Sequence, residues 1–178
     1  MELALPLLFV RLVFGLAFAA HGAQKLFGWF GGYGLAGTGG FLEQLGFRPG
    51  RVFAAAAGAS ELAGGLLIAL GLGGPIGPAL VIATMIVAAV TVHLRNGFFA
   101  ASNGVELPVL YLLIGAIYAF AGFGALSLDA VLGLTSLWTA GVVWAFTGLG
   151  IAGGFLNLTA RRKAPAAAVA AETLDPAV

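Results

Sequence analysis

The chain has 178 residues, 61% hydrophobic and 8% charged, with a formal net charge of +1 and no cysteine. A soluble domain carries roughly 25% charged residues, so this chain lacks the polar atoms to coat a water-facing globule, and a soluble enzyme is all but excluded. The absence of cysteine removes disulfides, thiolate metal sites and thiol relays, so any redox chemistry must borrow a cofactor or a partner.

Apolar runs near twenty residues recur, the length an α-helix needs to cross a hydrocarbon layer about 30 Å thick. Backbone amides in lipid must bond internally, so each run is predicted to be helical. The first covers residues 4–23, interrupted by Arg11, closed by His21 and followed by the polar edge Gln24-Lys25. Glu2 without Lys or Arg before the run, and Arg11 inside it, argue for a retained helix and against a signal peptide. Next, seven glycines (28, 31, 32, 34, 37, 39 and 40) mixed with Trp29, Phe30 and Tyr33 predict a loop at the headgroup level. Phe41, Leu42, Leu45 and Phe47 set against Glu43 and Gln44 predict a short interfacial helix. Four further spans follow at residues 53–72, 78–94, 107–123 and 137–158. Gly73-Gly74-Pro75 and Gly77-Pro78 form a tight hairpin between spans two and three, and residues 124–136 join four to five. Residues 161–178 open on Arg161-Arg162-Lys163 and continue as an Ala-, Pro- and Val-rich tail expected to be disordered, which leaves 1–160 as one integral membrane domain. The expected fold is all-α, a polytopic membrane helical bundle with four helices in a core and one peripheral.

Five crossings put the termini on opposite sides. Glu2, the Pro75 hairpin and Asp129 fall on the N-terminal side, with no Lys or Arg in any connecting loop. Lys25, Arg48, Arg51, Arg95, Arg161, Arg162 and Lys163 fall on the other, which places the N-terminus outside and the C-terminus in the cytoplasm.

An ionisable residue at the bilayer centre costs at least about 2.5 kcal/mol and points to function by default. Two qualify. Arg11 lies about 10 Å below the outer surface and Glu61 roughly 12 Å above the inner one, leaving about 8 Å between their levels for a guanidinium to bridge. Arg11, Gly15, Phe18, Gly22 and Lys25 form one stripe of span one; Ala54, Gly58, Glu61 and Gly65 form a stripe of mostly small residues on span two. Small residues let helices approach closely, so the stripes are expected to face each other near Gly15, provided Phe18 fits over Gly58 or points into a pocket. The Arg11–Glu61 pair is then either part of a site or a structural salt bridge fixing register.

A second cluster gathers near the cytoplasmic boundary: His21, Lys25, His93, Arg95 and Glu106. These are either interfacial residues reaching for headgroups or a polar pocket mouth under the glycine-rich loop, able to bind an anion or a quinone head and to move a proton through His93 or Glu61. Their spacing follows no metal-ligand motif, so no metal is expected. Tyr111, Gly115, Tyr118 and Gly122 make a further stripe on span four, either helix packing or a slot for a flat ring. Gly150-x-x-x-Gly154 on span five permits helix-helix contact, and a homo-oligomer stays open. Gly32, Gly34 and Gly37 satisfy G-x-G-x-x-G without the strand that gives the motif its mechanism. Asn157-Leu158-Thr159 fits a glycosylation sequon only at the inner membrane edge, and Arg161-Arg162-Lys163 reads as a topology determinant, with no nucleic acid implied.

Taken in order, Arg11-x-x-x-Gly15, His21-Gly22-x-x-Lys25-Leu26, Glu61-Leu62-x-Gly64-Gly65-Leu66-Leu67, Leu70-Gly71-Leu72, His93 to Gly97, Asn103-Gly104-x-Glu106, Gly122-x-Gly124 and Ser127-Leu128-Asp129 resemble the DoxX family of small bacterial membrane proteins. The resemblance covers about residues 5–130. It implies a multi-pass protein of the bacterial inner membrane with a four-helix transmembrane bundle, to which this chain adds a fifth span. It also implies that the matching Arg11, Lys25, Glu61 and Glu106 are binding or structural residues. A related branch resembles a membrane subunit of thiosulfate:quinone oxidoreductases, and other members are linked to oxidative-stress complexes containing a superoxide dismutase and a sulfurtransferase. The function expected is therefore a membrane subunit or anchor of a redox assembly, quinone-linked, with soluble redox partners at the cytoplasmic face. In that reading Arg11 and Lys25 hold the anionic form and Tyr111 contacts the ring. The alternative is a non-catalytic scaffold or small-solute transporter with Arg11 and Glu61 as a structural lock.

Overall fold

A computed structural model describes residues 3–162. Glu2, Lys163 and the expected disordered tail lie outside the described residues. All regular structure among the described residues is helical: α1 (Ala4–Phe27), α2 (Gly34–Gln44), α3 (Gly50–Leu70), α4 (Ile76–Ala88), α5 (Glu106–Ala121), α6 (Leu128–Val131) and α7 (Ala140–Thr159). A π turn at Ala89–His93 and a 3-10 turn at Leu94–Asn96 prolong α4. Four of these rods, Ala4–Phe27, Gly50–Leu70, Ile76–Asn96 and Ala140–Thr159, are long and apolar enough to cross a membrane. The fifth, α5, has 16 residues, about 24 Å at 1.5 Å per residue, and ends at Ala121, short of the boundary expected at 123. Phe9, Val13 and Leu16 on α1, Ile117 and Phe120 on α5, and Trp144, Leu149 and Phe155 on α7 are exposed. Such a belt suits contact with lipid.

Glycine sets the helix contacts. In lipid the hydrophobic effect does not drive helices together, so close backbone packing has to. A Cβ built on Gly15 would sit 2.6 Å from the Ala69 nitrogen and the Gly65 oxygen, and one on Gly22 would sit 2.6 Å from the Gly58 oxygen. The two stripes therefore meet, antiparallel, as expected. Phe18 escapes the seam: it is 1% exposed and points toward α5, its ring centroid 5.5 Å from that of Tyr111. Against the far side of α4, Gly150 packs on Ala79 and Gly154 on Ala83 and Ile86. Both contacts keep the same offset in sequence, so α4 and α7 run parallel, and α5 must return the chain between them. The Gly150-x-x-x-Gly154 pair is thus used inside the chain.

The segment expected to be a loop at residues 28–40 is a loop only in its first part. A 3-10 turn spans Trp29–Gly31, and α2 begins at Gly34, inside the glycine-rich stretch. Helix propensity loses to packing here: Gly39 lies against the backbone of Arg51, and a side chain at Gly50 would strike the Gly39 carbonyl. Glu43 Oε1 accepts from the Gly50 nitrogen at 2.9 Å, capping the start of α3. At the opposite end of the bundle, Asp129 on α6 is buried and accepts from the nitrogens of Gly73 and Gly74 at 2.9 and 2.8 Å. The acid read as a loop charge is in fact the staple of the α3–α4 hairpin.

Candidate functional site

Among the described residues one ion pair forms, between Lys25 and Glu61. Glu61 is 3% exposed, and Lys25 is its cationic partner. The Arg11–Glu61 salt bridge expected from the sequence does not form. With Gly15 opposite Gly65 and Ala69, and Gly22 opposite Gly58 and Leu62, the residue level with Arg11 is Gly71. Ten residues separate Gly71 from Glu61, an axial rise of about 15 Å, beyond the reach of a guanidinium. Arg11 Nη2 instead donates to the carbonyl of Leu126, while Nε and Nη1 are buried with no partner among the described residues. Arg11 thus belongs to the Gly71–Ser127 corner.

Around Lys25 and Glu61 lies a cavity of about 320 Å³ walled by α1, α2, α3, α4 and α5. Its polar lining comprises His21, Lys25, Thr38, Glu61, Thr84, Thr91, His93 and Tyr111, and Phe18, Phe41, Leu42, Met85 and Leu107 supply apolar wall. Volume and lining are those of a small-ligand site, mostly apolar with a few convergent polar groups. Helix α2 roofs it through Thr38, Phe41 and Leu42. Toward α5 the gap is closed by aromatic side chains: Tyr111 touches the rings of Phe14, Phe18 and His21, and Tyr118 donates to the Leu7 carbonyl at 2.9 Å. His21, at the edge of this aromatic closure, is exposed.

Hydrogen bonds fix the two histidines. Gln24 Nε2 donates to the Phe30 carbonyl (3.2 Å), which turns its Oε1 toward His21 Nδ1 (3.1 Å). His21 Nδ1 must therefore carry the proton, leaving Nε2 to accept from the Tyr111 hydroxyl at 3.4 Å. His93 Nδ1 faces the Asn103 carbonyl at 2.9 Å, so it too is the donor and Nε2 is left as an acceptor. The π turn that ends α4, with the Leu94 nitrogen bonding the Ala89 carbonyl, puts Thr91, Val92 and His93 together on the cavity wall. Such turns often mark functional positions.

Of the predicted residues, His21, Lys25, Glu61, His93 and Tyr111 come together on this wall. Arg11, Arg95 and Glu106 do not. Arg95 is exposed, and Glu106 Oε2 accepts from the Ala100 nitrogen at 2.7 Å, ordering the loop before α5. The tyrosine stripe divides: Tyr111 borders the cavity, whereas Gly115 packs on Val81 and Tyr118 is core. The described residues hold no cluster of three or more His, Asp or Glu side chains that would hold a metal ion.

The glycine seam, the Lys25–Glu61 pair and the α3–α4 hairpin all fall within residues 6–94, the stretch that matches the DoxX family model. This chain belongs to the DoxX family. Comparison with curated proteins and with solved structures gives no match. In this DoxX protein the matched stretch ends at Leu94, just after His93 of the cavity wall, so Tyr111 and the motifs around Asn103 and Asp129 lie beyond it. Sequence reasoning also missed Thr84 and Thr91. Their hydroxyls donate to the carbonyls of Leu80 and Val87, four residues back, at 2.8 and 2.7 Å, and both line the cavity. Their spacing at i and i+7 on one α4 face was the available signal.

Proposed function

We propose that this DoxX protein is the membrane subunit of a redox assembly and that its cavity binds the head of a membrane quinone. The observation that carries this is the Lys25–Glu61 pair beside a largely apolar cavity, inside a bundle whose outer helix faces are apolar. A ligand dissolved in the bilayer reaches such a bundle without crossing water. Its ring lies against Phe18 and Tyr111, and its oxygens meet Glu61, His21 and His93. Glu61 and the two histidines supply proton-handling groups, and electrons come from a partner, since the chain has no cysteine to relay them. The basic end of the bundle, which carries Arg48, Arg51, Arg95, Arg161 and Arg162, faces the cytoplasm and docks that partner.

A second reading takes the ion pair as a structural lock. The burial of Glu61 favours it, with Lys25 in place of Arg11 as the cation. One paired measurement separates the two: purify wild type and Glu61→Gln, then quantify extracted quinone and membrane abundance. Quinone in the wild type, lost in the variant at unchanged abundance, supports the site. Loss of abundance alone supports the lock, and wild-type protein that never carries quinone refutes the quinone assignment.

A further inference from the structure

Resting on that reading of the cavity, we infer that its ligand enters through a groove beneath α2, at the headgroup level, and passes Lys25 on the way to Glu61. The groove, about 670 Å³, lies between the end of α1 and α2. Lys25, Thr38 and Phe41 line both the groove and the cavity, so the two spaces meet at these side chains. The ion pair straddles that boundary: the Lys25 side chain is 30% exposed and borders the groove, whereas that of Glu61 is 4% exposed and borders the cavity. On the α5 side, by contrast, Tyr111 closes the cavity against the rings of Phe14, Phe18 and His21. Trp29, Phe30 and Tyr33, in the loop that edges the groove, are exposed, which suits aromatic side chains at a membrane-water boundary.

Glycine usage on α2 supports a passage there. Glycine is a poor helix former, yet α2 carries it at positions 34, 37, 39 and 40. Gly39 has a packing reason, since it lies against Arg51 and Gly50 on α3. Gly40 has none: a Cβ built on it would meet nothing within 4 Å. The atoms nearest a Cβ on Gly37 belong to Tyr33, one turn back. Both Gly37 and Gly40 line the groove, with Gly31 and Gly32 lining it from the loop. Bare backbone on two sides leaves width for a flat ring followed by a linear tail. Moving inward, such a ligand meets the Thr38 hydroxyl and Lys25, whose ammonium keeps two N–H donors beyond its bond to Glu61. Both groups can hand a carbonyl oxygen on to the cavity without breaking the ion pair.

The test uses the full-length protein in phosphatidylcholine nanodiscs, with decylubiquinone as the probe and quenching of tryptophan fluorescence as the readout. Stopped-flow mixing gives the association and release rates, and titration gives Kd. Gly40→Phe puts a ring into the groove where there is open space, and Gly153→Phe, on α7 with nothing within 4 Å, is the matched control. A plugged passage slows entry and exit together, so Gly40→Phe is expected to lower both rates about tenfold at unchanged Kd, with Gly153→Phe at wild-type rates. Gly40→Leu, a smaller plug, is expected to fall between Gly40→Phe and wild type. Wild-type rates in both Gly40 variants overturn the passage while leaving the quinone site standing. A weaker Kd caused by faster release overturns it too, because the groove is then part of the binding site. Equal slowing in Gly40→Phe and Gly153→Phe does the same, since bulk on any outer helix face would then suffice. Wild-type protein that binds no decylubiquinone overturns both the passage and the quinone site.

Discussion

Lys25 and Glu61 find each other because helical side chains lean toward their own N-terminus. On α1 that direction carries Lys25 back from the helix end into the bundle; on antiparallel α3 it carries Glu61 toward the same end as Lys25, and they meet. The same lean carries Arg11 away from Glu61, to the Leu126 carbonyl. The sequence therefore contained the correct partner, and Lys25 stood on the very stripe that was drawn. Counting residues from assumed span ends made Arg11 look close, whereas lean and register together exclude it. Removing one member of a buried pair strands the other charge, at a cost of about 3 to 5 kcal/mol. Lys25→Met is thus expected to lower the melting temperature of the purified protein substantially, and Lys25→Met combined with Glu61→Gln to recover most of the loss. A double variant no more stable than Lys25→Met would dismiss the pairing.

Among elements, the glycine stripes were legible because close packing demands small residues at helical spacing, and α1, α3, α4 and α7 each use them. The same residue misled at α2. There glycine signals close approach of two backbones, not a loop, and composition alone does not distinguish these uses. The π turn at Ala89–His93 had no sequence signature, since Ala, Val and Thr suit an ordinary helix equally well. Neighbouring glycines on α7 give a controlled test: a side chain at Gly150 would meet the Ala79 backbone at 2.7 Å, whereas nothing lies within 4 Å of one at Gly153. Gly150→Leu is expected to detach α7 and speed proteolysis of the last helix, and Gly153→Leu to behave as wild type. Equal protease sensitivity of the two variants would contradict the α4–α7 contact.

For the molecule as a whole, hydropathy was enough to place the rods and their alternation, because lipid enforces helices and excludes loops. Orientation rests on the basic residues gathered at one end, so an alkaline phosphatase fused after Val178 is expected to be inactive, with activity overturning the cytoplasmic assignment. The cavity was half legible: its ionisable groups stood out against an apolar background, but its hydroxyls and its roof depended on tertiary placement. Every residue lining that cavity falls between Phe18 and Tyr111, while α7 grips the far side of α4. Cavity and brace are therefore segregated along the chain. Substitutions in the closing helix are free to retune how the bundle sits among lipids without altering the compartment it carries.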